Sequence, residues 1–287
     1  MVLNSLKRLQ SEFAWNFFTL FEDVSADATK NLALFNIIVS NIHLYFADNK
    51  TIDILDVGCG RRYTYTLLLQ SIGYKVTGID TVYANTRELP IKRCVNNLRF
   101  NGPKIFCKTV VEEINGSRAK YSKRIYELSG IKLSSNNIDL MKINAEATTF
   151  QDESFDLIIS IDVFEHLFNL DKVIYEIHRI TKRGGLVFLI IDLFASKYGA
   201  HWPRYKQTEK IAWQHLLDNN IYVPNNLNRL RENDFIAALT NKFEVIELLR
   251  HIDHDTKTFL TADLKGKLDQ YAEEELITDR LILVLKK

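Results

Sequence analysis

The residues whose types and spacing best suit ligand binding lie in the stretch I-D-I-L-D-V-G-C-G-R, residues 52–61. Gly58 and Gly60 would let the backbone pass close to a ligand. The residues after them have the apolar spacing of a helix, and the start of a helix offers unpaired N–H groups and a positive dipole end to an anion. This chemistry suits a phosphate or a carboxylate. A structural turn with no ligand is the alternative.

A carboxylate further along the chain extends this pattern. Asp80 ends the stretch K-V-T-G-I-D, 22 residues after Gly58. An acidic side chain at this place can accept hydrogen bonds from both hydroxyls of a ribose. The dinucleotide pattern G-x-G-x-x-G needs a third glycine at position 63, where the chain has Tyr63. Position and spacing favour a nucleoside ligand, but a nicotinamide dinucleotide would use the same acid and stays an alternative.

Apolar strands alternate with helical segments over the middle of the chain, which predicts an α/β fold with a doubly wound parallel sheet. Ligands of such sheets bind outside the carboxyl ends of the strands. Two later apolar runs extend the prediction to a seven-stranded, mostly parallel sheet with one antiparallel member. The predicted strands are 52–57, 75–80, 138–143, 155–161, 186–191, 243–249 and 280–285.

The remaining segments predict the domain organisation. Residues 1–50 are predicted to form two helices, 3–22 and 26–46, that pack on the core. The first of these helices is a candidate homodimer contact. Residues 51–287 read as the main domain. Within it we expect a helical insertion at about 84–136 and substrate-side loops at about 193–230.

Composition narrows the function classes. A net charge of +1 gives no electrostatic case for binding nucleic acid. The three cysteines, Cys59, Cys94 and Cys107, lack metal-ligand spacing, so we expect no metal site and a reducing, cytoplasmic compartment. No apolar run has the length of a transmembrane helix.

Taken in order, five segments resemble the class I S-adenosylmethionine-dependent methyltransferases, in particular those of methyltransferase type 11. The resemblance covers roughly residues 50–192, and the two later strands extend it. The segments that carry it are I-L-D-V-G-C-G at 54–60, V-T-G-I-D at 76–80, N-A-E at 144–146, F-D-L-I-I-S-I-D-V-F-E-H-L at 155–167 and G-G-L-V-F-L-I at 184–190.

The resemblance implies S-adenosyl-L-methionine as the cofactor and assigns roles to single residues. Gly58, Cys59 and Gly60 would meet its methionine part, Asp56 would face its ammonium group, and Asp80 would hold its ribose. Two further segments would complete the site. Asn144 and Ala145 would bracket the adenine, although the family usually has Asp in place of Asn144, and Ser160–Asp162 would line the pocket floor.

Methyl transfer to oxygen needs a base, and the candidates are His166, His201 and His215. We assign the catalytic role to His166, which follows the fourth strand, or to His201, which lies in the loop S-K-Y-G-A-H-W. The tail around this loop looks like that of bacterial methyltransferase-type proteins encoded near cell-surface polysaccharide genes. We therefore expect a small or carrier-linked acceptor, methylated at oxygen. The alternatives are a nicotinamide-dependent oxidoreductase and a catalytically silent cofactor-binding scaffold.

Overall fold

The computed structural model describes residues 24–47, 51–82, 88–135, 138–201, 212–218, 223, 226–253 and 255–287. The strands are β1 (Asp53–Val57), β2 (Lys75–Asp80), β3 (Asp139–Lys142), β4 (Phe155–Ile161), β5 (Thr181–Asp192), β6 (Glu244–Ile252) and β7 (Thr278–Lys286). The helices are α1 (Val24–Phe46), α2 (Thr64–Ser71), α3 (Pro90–Asn101), α4 (Pro103–Asn115), α5 (Ser117–Ser129), α6 (Leu170–Ile180), α7 (Gln214–Leu217), α8 (Glu232–Thr240), α9 (Thr256–Phe259), α10 (Ala262–Lys267) and α11 (Glu273–Ile277). A short 3-10 turn, Phe164–His166, follows β4.

The seven strands form a sheet with the order β3-β2-β1-β4-β5-β7-β6. The pairings of β1 with β2, β2 with β3 and β4 with β5 are parallel, whereas β7 runs antiparallel to both β5 and β6. The predicted α/β class, with seven strands and one antiparallel member, is therefore confirmed. The chain divides into two compact units, residues 1–143 and 144–287, which are described separately below.

In the first unit, β2 lies between β1 and β3. Ile54 of β1 stands opposite Val76, and Ile79 stands opposite Met141 of β3. Four of the five β1 residues are buried, which explains its nearly continuous apolar run. Helix α1 packs on α2 and α5, and it buries an apolar stripe that includes Phe35, Ile38 and Ile42.

Three helices, α3, α4 and α5, occupy the connection from β2 to β3. The sequence predicts a polar stretch and then one helix over 106–128; the polar stretch contains α3, and the predicted helix is divided into α4 and α5. Gly116, with a φ of 66°, separates α4 from α5. Helix α3 lacks an apolar stripe because its buried positions are Arg93 and Asn97. Its helical period is therefore invisible to a search for hydrophobic spacing.

In the second unit, β5 lies between β4 and β7 and is buried from Gly185 to Ile191. The sequence places Gly184 and Gly185 at the end of the preceding helix, and this is wrong. Helix α6 ends at Ile180, and both glycines lie within β5. They occupy an irregularity in the pairing with β4, where a Cβ on Gly185 would lie 2.8 Å from the Lys182 carbonyl oxygen. Only glycine fits this approach without a shift.

The helices and strands of the structure do not test several predictions about the domain organisation. The helix predicted at 3–22, with its dimer contact, falls outside the described residues. The boundaries at residue 50, at 84–136 and at 193–230 stay predictions. Among the helices of the described ranges, each is too short or too polar to cross a bilayer.

Candidate functional site

The loop that follows β1 is tied to the end of β2. The backbone N–H groups of Gly58 and Cys59 both donate to the carbonyl oxygen of Ile79, at 2.8 and 3.0 Å. Gly58 and Gly60 have φ values of 75° and 68°, in the left-handed region that side chains disfavour. No atom lies within 4 Å of the place where a Cβ on Gly60 would stand, so backbone conformation selects glycine there.

Asp80, at the end of β2, is held beside this loop. Its Oδ2 accepts a hydrogen bond from the backbone N–H of Gly60, and its Oδ1 accepts one from Val82, each at 2.8 Å. The side chain is partly exposed. The structure therefore brings together the glycine loop and the acid that the sequence places 22 residues apart.

Asp56 is buried and binds the start of α2. Its Oδ2 accepts hydrogen bonds from the backbone N–H of Thr66 at 3.1 Å and from the Thr66 hydroxyl at 2.6 Å. Burial raises the pKa of Asp56 to about 6, although the bonds from Thr66 oppose the shift. Burial also raises the pKa of the Cys59 thiol, assisted by the nearby carboxylates Asp56 and Asp80. The thiol therefore stays protonated and is a poor nucleophile.

A cavity of about 240 Å³ opens in the first unit beside the start of α2. Charged side chains on its wall are paired, because Arg62 contacts Glu112 and lies 3.7 Å from Asp27. Arg61, which does not line the cavity, contacts Glu112 as well. Burial favours the protonated form of Glu112, but the two arginines lower its pKa to about 2. The other lining residues are Val24, Tyr63, Thr64, Leu67, Arg93, Ser117, Arg118, Tyr121, Ser122, Leu133 and Ser135.

In the second unit, Asn144 and Ala145 begin a turn after β3. The side-chain oxygen of Asn144 accepts the backbone N–H of Glu146 at 3.0 Å, and its carbonyl oxygen accepts that of Ala147 at 3.2 Å. The Glu146 carboxylate accepts a hydrogen bond of 2.9 Å from Asn169. The Asn144 amide oxygen therefore already has a local donor in the turn.

Ser160 and Asp162 lie at the end of β4. Ser160 is fully buried and pairs with Leu189 of β5. Asp162 has a φ of 56°, and its Oδ2 lies 3.6 Å from a guanidinium nitrogen of Arg280. Burial lowers the pKa of Arg280, but Asp162 and Asp192 raise it further than that, so the guanidinium stays charged.

The two catalytic candidates lie side by side in the second unit. The rings of His166 and His201 meet edge to face, with 5.4 Å between their centroids. His166 Nδ1 is 2.7 Å from the carbonyl oxygen of Asn226, to which a protonated Nδ1 donates, and this leaves Nε2 with its lone pair. His201 Nε2 lies 3.7 Å from Oδ2 of Asp192.

Asn228 holds the turn that carries His166. Its backbone N–H donates to the carbonyl oxygen of Glu165 at 2.8 Å. Its side-chain amide donates to the carbonyl oxygens of Phe164 and Leu167, at 2.8 and 2.9 Å. These bonds fix the backbone around His166.

The third candidate histidine, His215, makes a structural contact. His215 is buried, its Nε2 lies 2.8 Å from the Phe194 carbonyl oxygen, and burial lowers its pKa to about 4. It therefore stays neutral in a structural contact.

Sequence reasoning missed three residues near the two histidines: Asp192 beside His201, Glu165 beside His166, and Arg280, which binds Asp192. Asp192 ends an apolar strand, and the rule that selected Asp80 would have found it. Arg280 gives no such signal, because it reaches this place through the antiparallel pairing of β7 with β5.

Comparisons with known proteins agree with this fold. The family model described as "Methyltransferase domain" matches residues 31–239. The ubiquinone biosynthesis O-methyltransferase of Rickettsia typhi is 24% identical over 53% of this chain and 46% of its own length. The ubiquinone/menaquinone biosynthesis C-methyltransferase of Pseudoalteromonas translucida is 31% identical over 29% of this chain and 32% of its own length. The chain thus spans about half of the first relative and about a third of the second.

A solved structure supports the fold alone. A protein of Galdieria sulphuraria described as a sarcosine dimethylglycine methyltransferase has a TM-score of 0.51 at 15% identity, covering 89% of this chain and 86% of that one. The family model covers most of the chain, and this disagrees with the nicotinamide-dependent alternative. The chain belongs to the methyltransferase domain family.

Proposed function

We propose that the chain transfers a methyl group to a hydroxyl oxygen of a small acceptor, free or carrier-linked, with His201 as the general base. The observation that carries this proposal is the pairing of His201 with Asp192, whose nearest atoms are 3.7 Å apart. A carboxylate beside an imidazole orients the ring and stabilises the imidazolium that forms when it takes a proton.

We propose oxygen as the methylated atom because a hydroxyl acceptor needs a general base, and the chain has a histidine proposed for that role. When bound, S-adenosylmethionine supplies a methyl group already activated by a sulfonium leaving group, so the protein has mainly to position the acceptor. A hydroxyl becomes a strong nucleophile only as it loses its proton. The relatives' names divide between O- and C-methyltransferases, so the names alone do not decide the atom.

His166 remains the second candidate for the base. Its Nδ1 faces the Asn226 carbonyl, so Nε2 is the nitrogen able to accept a proton. The backbone bonds from Asn228 favour a role for this turn in positioning. We therefore rank His201 first.

We propose that the first unit binds the cofactor through the glycine loop and Asp80. Two observations support the fit. Gly58 and Gly60 have left-handed backbones and no side chains, and the partly exposed Asp80 carboxylate is fixed beside the loop. In this proposal Gly58, Cys59 and Gly60 meet the methionine part, and Asp80 accepts hydrogen bonds from the ribose hydroxyls.

The other site residues stay predictions. Asp56 already holds Thr66, so we propose that it acts on the ammonium group through the structure of the loop or through water. Asn144 and Ala145 remain the predicted adenine contacts, and Ser160 and Asp162 the predicted pocket floor. The cytoplasmic location also stays a prediction.

The test is methyl transfer from radiolabelled S-adenosylmethionine to a panel of phenolic and aliphatic hydroxyl compounds. With an accepted substrate, His201→Gln should lower kcat by about a hundredfold or more while the cofactor Kd stays unchanged. The matched control is His251→Gln, an exposed histidine on β6, which should keep full activity. Full activity in His201→Gln would exclude this base. Cofactor binding without turnover on any acceptor would favour the silent scaffold.

A further inference from the structure

A polar cavity of about 350 Å³ opens in the second unit, beside the end of β5 and the start of β7. This volume lies within the range of small-molecule sites, whose walls are most often apolar. Here, nine of the eleven described residues that line the cavity carry polar side chains, and Gly199 and Ile277 are the exceptions. His201 and Asp192 belong to this lining. A ligand in the polar cavity would therefore lie against the proposed base.

Lys197 is a buried cation in the wall of the polar cavity. The residue is 8% exposed, and its ammonium nitrogen lies 3.5 Å from the centroid of the Phe259 ring and 5.0 Å from that of the Tyr198 ring. In the described part of the chain, its close contacts are these two rings rather than a carboxylate. A ring face attracts a cation, but it does not replace the hydrogen bonds of the ammonium group. Lys197 therefore keeps N–H donors for a ligand.

Two aspartates supply hydrogen-bond acceptors to the same cavity. Oδ1 of Asp253 accepts the backbone N–H of Asp255 at 3.1 Å, and Oδ1 of Asp279 lies 2.6 Å from Nδ1 of His251. A carboxylate has about four lone-pair sites, so one bond within the protein orients the side chain and leaves it able to accept more. The polar cavity thus presents both donors and acceptors.

These groups discriminate between classes of ligand. When ionised, the three lining aspartates, Lys197 and Arg280 carry a formal charge of minus one, and this disfavours an anionic ligand. An apolar ligand would displace water from polar side chains and leave their hydrogen bonds unmade, at a cost in free energy. A neutral ring with several hydroxyls replaces that water, because each hydroxyl both donates and accepts.

We propose that the polar cavity binds a neutral, hydroxyl-rich ring, a sugar or a cyclic polyol, and that Lys197 and Asp253 select it. Lys197 donates to the ring hydroxyls, and Asp253 accepts from them. The binding rests on the lining of the cavity alone. That the bound ring is the methyl acceptor rests on the proposed function, because His201 and Asp192 share the cavity wall.

Saturation-transfer difference NMR of the full-length chain with S-adenosylhomocysteine tests the binding. The probes are the methyl glycosides of glucose, galactose, mannose and rhamnose, together with myo-inositol, and p-cresol is the apolar comparison. We expect at least one of these sugars or inositol to bind the unchanged protein, and Lys197→Met to weaken that binding by about tenfold or more. Lys172→Met, which changes an exposed lysine on α6, is the matched control and should bind as the unchanged protein does.

Lys197→Met keeps the length of the side chain and its apolar contact with the rings, and it removes the ammonium group. Thermal unfolding and calorimetry with S-adenosylmethionine on the same samples show whether the variants fold. The cofactor Kd should stay unchanged, because Lys197 is not among the proposed cofactor contacts. If Lys197→Met fails to fold, Asp253→Asn replaces it, since the amide oxygen can still accept the Asp255 N–H, and the same loss of sugar affinity is expected.

Absence of binding by all the sugars and by inositol would overturn the proposal, as would equal sugar affinity in a folded Lys197→Met. Methyl transfer from radiolabelled S-adenosylmethionine to p-cresol, without sugar binding, would also overturn it and leave the proposed function standing. Sugar binding that depends on Lys197, without methyl transfer to any hydroxyl compound, would support the ligand class and count against the proposed function.

Discussion

The backbone N–H of Gly60 donates a 2.8 Å hydrogen bond to Oδ2 of Asp80. The glycine loop after β1 and Asp80 at the end of β2 therefore form one hydrogen-bonded group. A carboxylate that accepts N–H groups on both oxygens has little rotational freedom, and it still has lone pairs left for hydroxyl donors. This relationship makes the two residues the first targets for substitution.

Replacing Asp80 with Ala should weaken S-adenosylmethionine binding by about tenfold or more, since it removes charge-assisted hydrogen bonds. Isothermal titration calorimetry measures the change. Asp269→Ala, an exposed aspartate beyond α10, is the control and should keep the original Kd. An unchanged Kd in Asp80→Ala would remove this acid from the cofactor site.

Replacing Gly60 with Ala should destabilise the fold by about 1–2 kcal/mol, because the φ of 68° strains any residue with a Cβ. Urea unfolding gives the free-energy change. Gly266→Ala is the control, since Gly266 lies in α10 with open space around it and no positive φ. That substitution should be neutral or stabilising by up to about 1 kcal/mol. Equal effects at both positions would contradict this explanation of the loop.

Asp56 should make stability fall as pH rises from about 4 to 6. Its folded pKa of about 6 lies above the ordinary aspartate pKa of 3.8, so the folded state keeps a proton that the unfolded state has lost in this window. The full effect is about 3 kcal/mol. Asp56→Asn keeps an acceptor for Thr66 and removes the titration.

The measurement is the difference in unfolding free energy between Asp56→Asn and the unchanged protein, at pH values from 4 to 7. This difference should move in favour of the variant as pH rises. A difference that stays constant with pH would show that Asp56 does not titrate in this window.

Glu112 should have the opposite dependence. Its pKa of about 2 lies below the ordinary value, so its contribution is present above about pH 4.5 and is lost as pH falls toward 2. At pH 7, Glu112→Gln should cost about 3–5 kcal/mol, because it leaves two arginines without their shared carboxylate. Glu127→Gln, in an exposed pair, should cost less than about 1 kcal/mol. Similar costs in the two variants at neutral pH would contradict the pairing.

The parts of the fold that the sequence predicts best are the buried strands. The predicted bounds of β2 and β4 agree with the structure, because each is an apolar run that ends in polar residues. The connection from β2 to β3 was predicted poorly, since α3 buries Arg93 and Asn97. The buried face of α3 is polar and is stabilised by an ion pair and by side-chain hydrogen bonds. A search for regularly spaced apolar residues therefore does not detect this helix.

The candidate site also has one part that the sequence predicts and one part that it does not. Asp80 and the glycine loop follow from spacing along neighbouring strands, and the structure brings them together. The contact between His166 and His201 does not follow from spacing, because it depends on the path of a loop. The pairing of Arg280 with Asp192 depends on the register of an antiparallel strand 88 residues further on.

The three bonds from Asn228 have a consequence for how the chain is synthesised. The carbonyl oxygens of Phe164 and Leu167 find their donor 61 to 64 positions later in the chain. Until that residue has left the ribosome, the turn bearing His166 lacks these partners, whereas the glycine loop and Asp80 can already be joined. The bonded group of the glycine loop and Asp80 can thus form early in synthesis, and the turn around His166 is completed late.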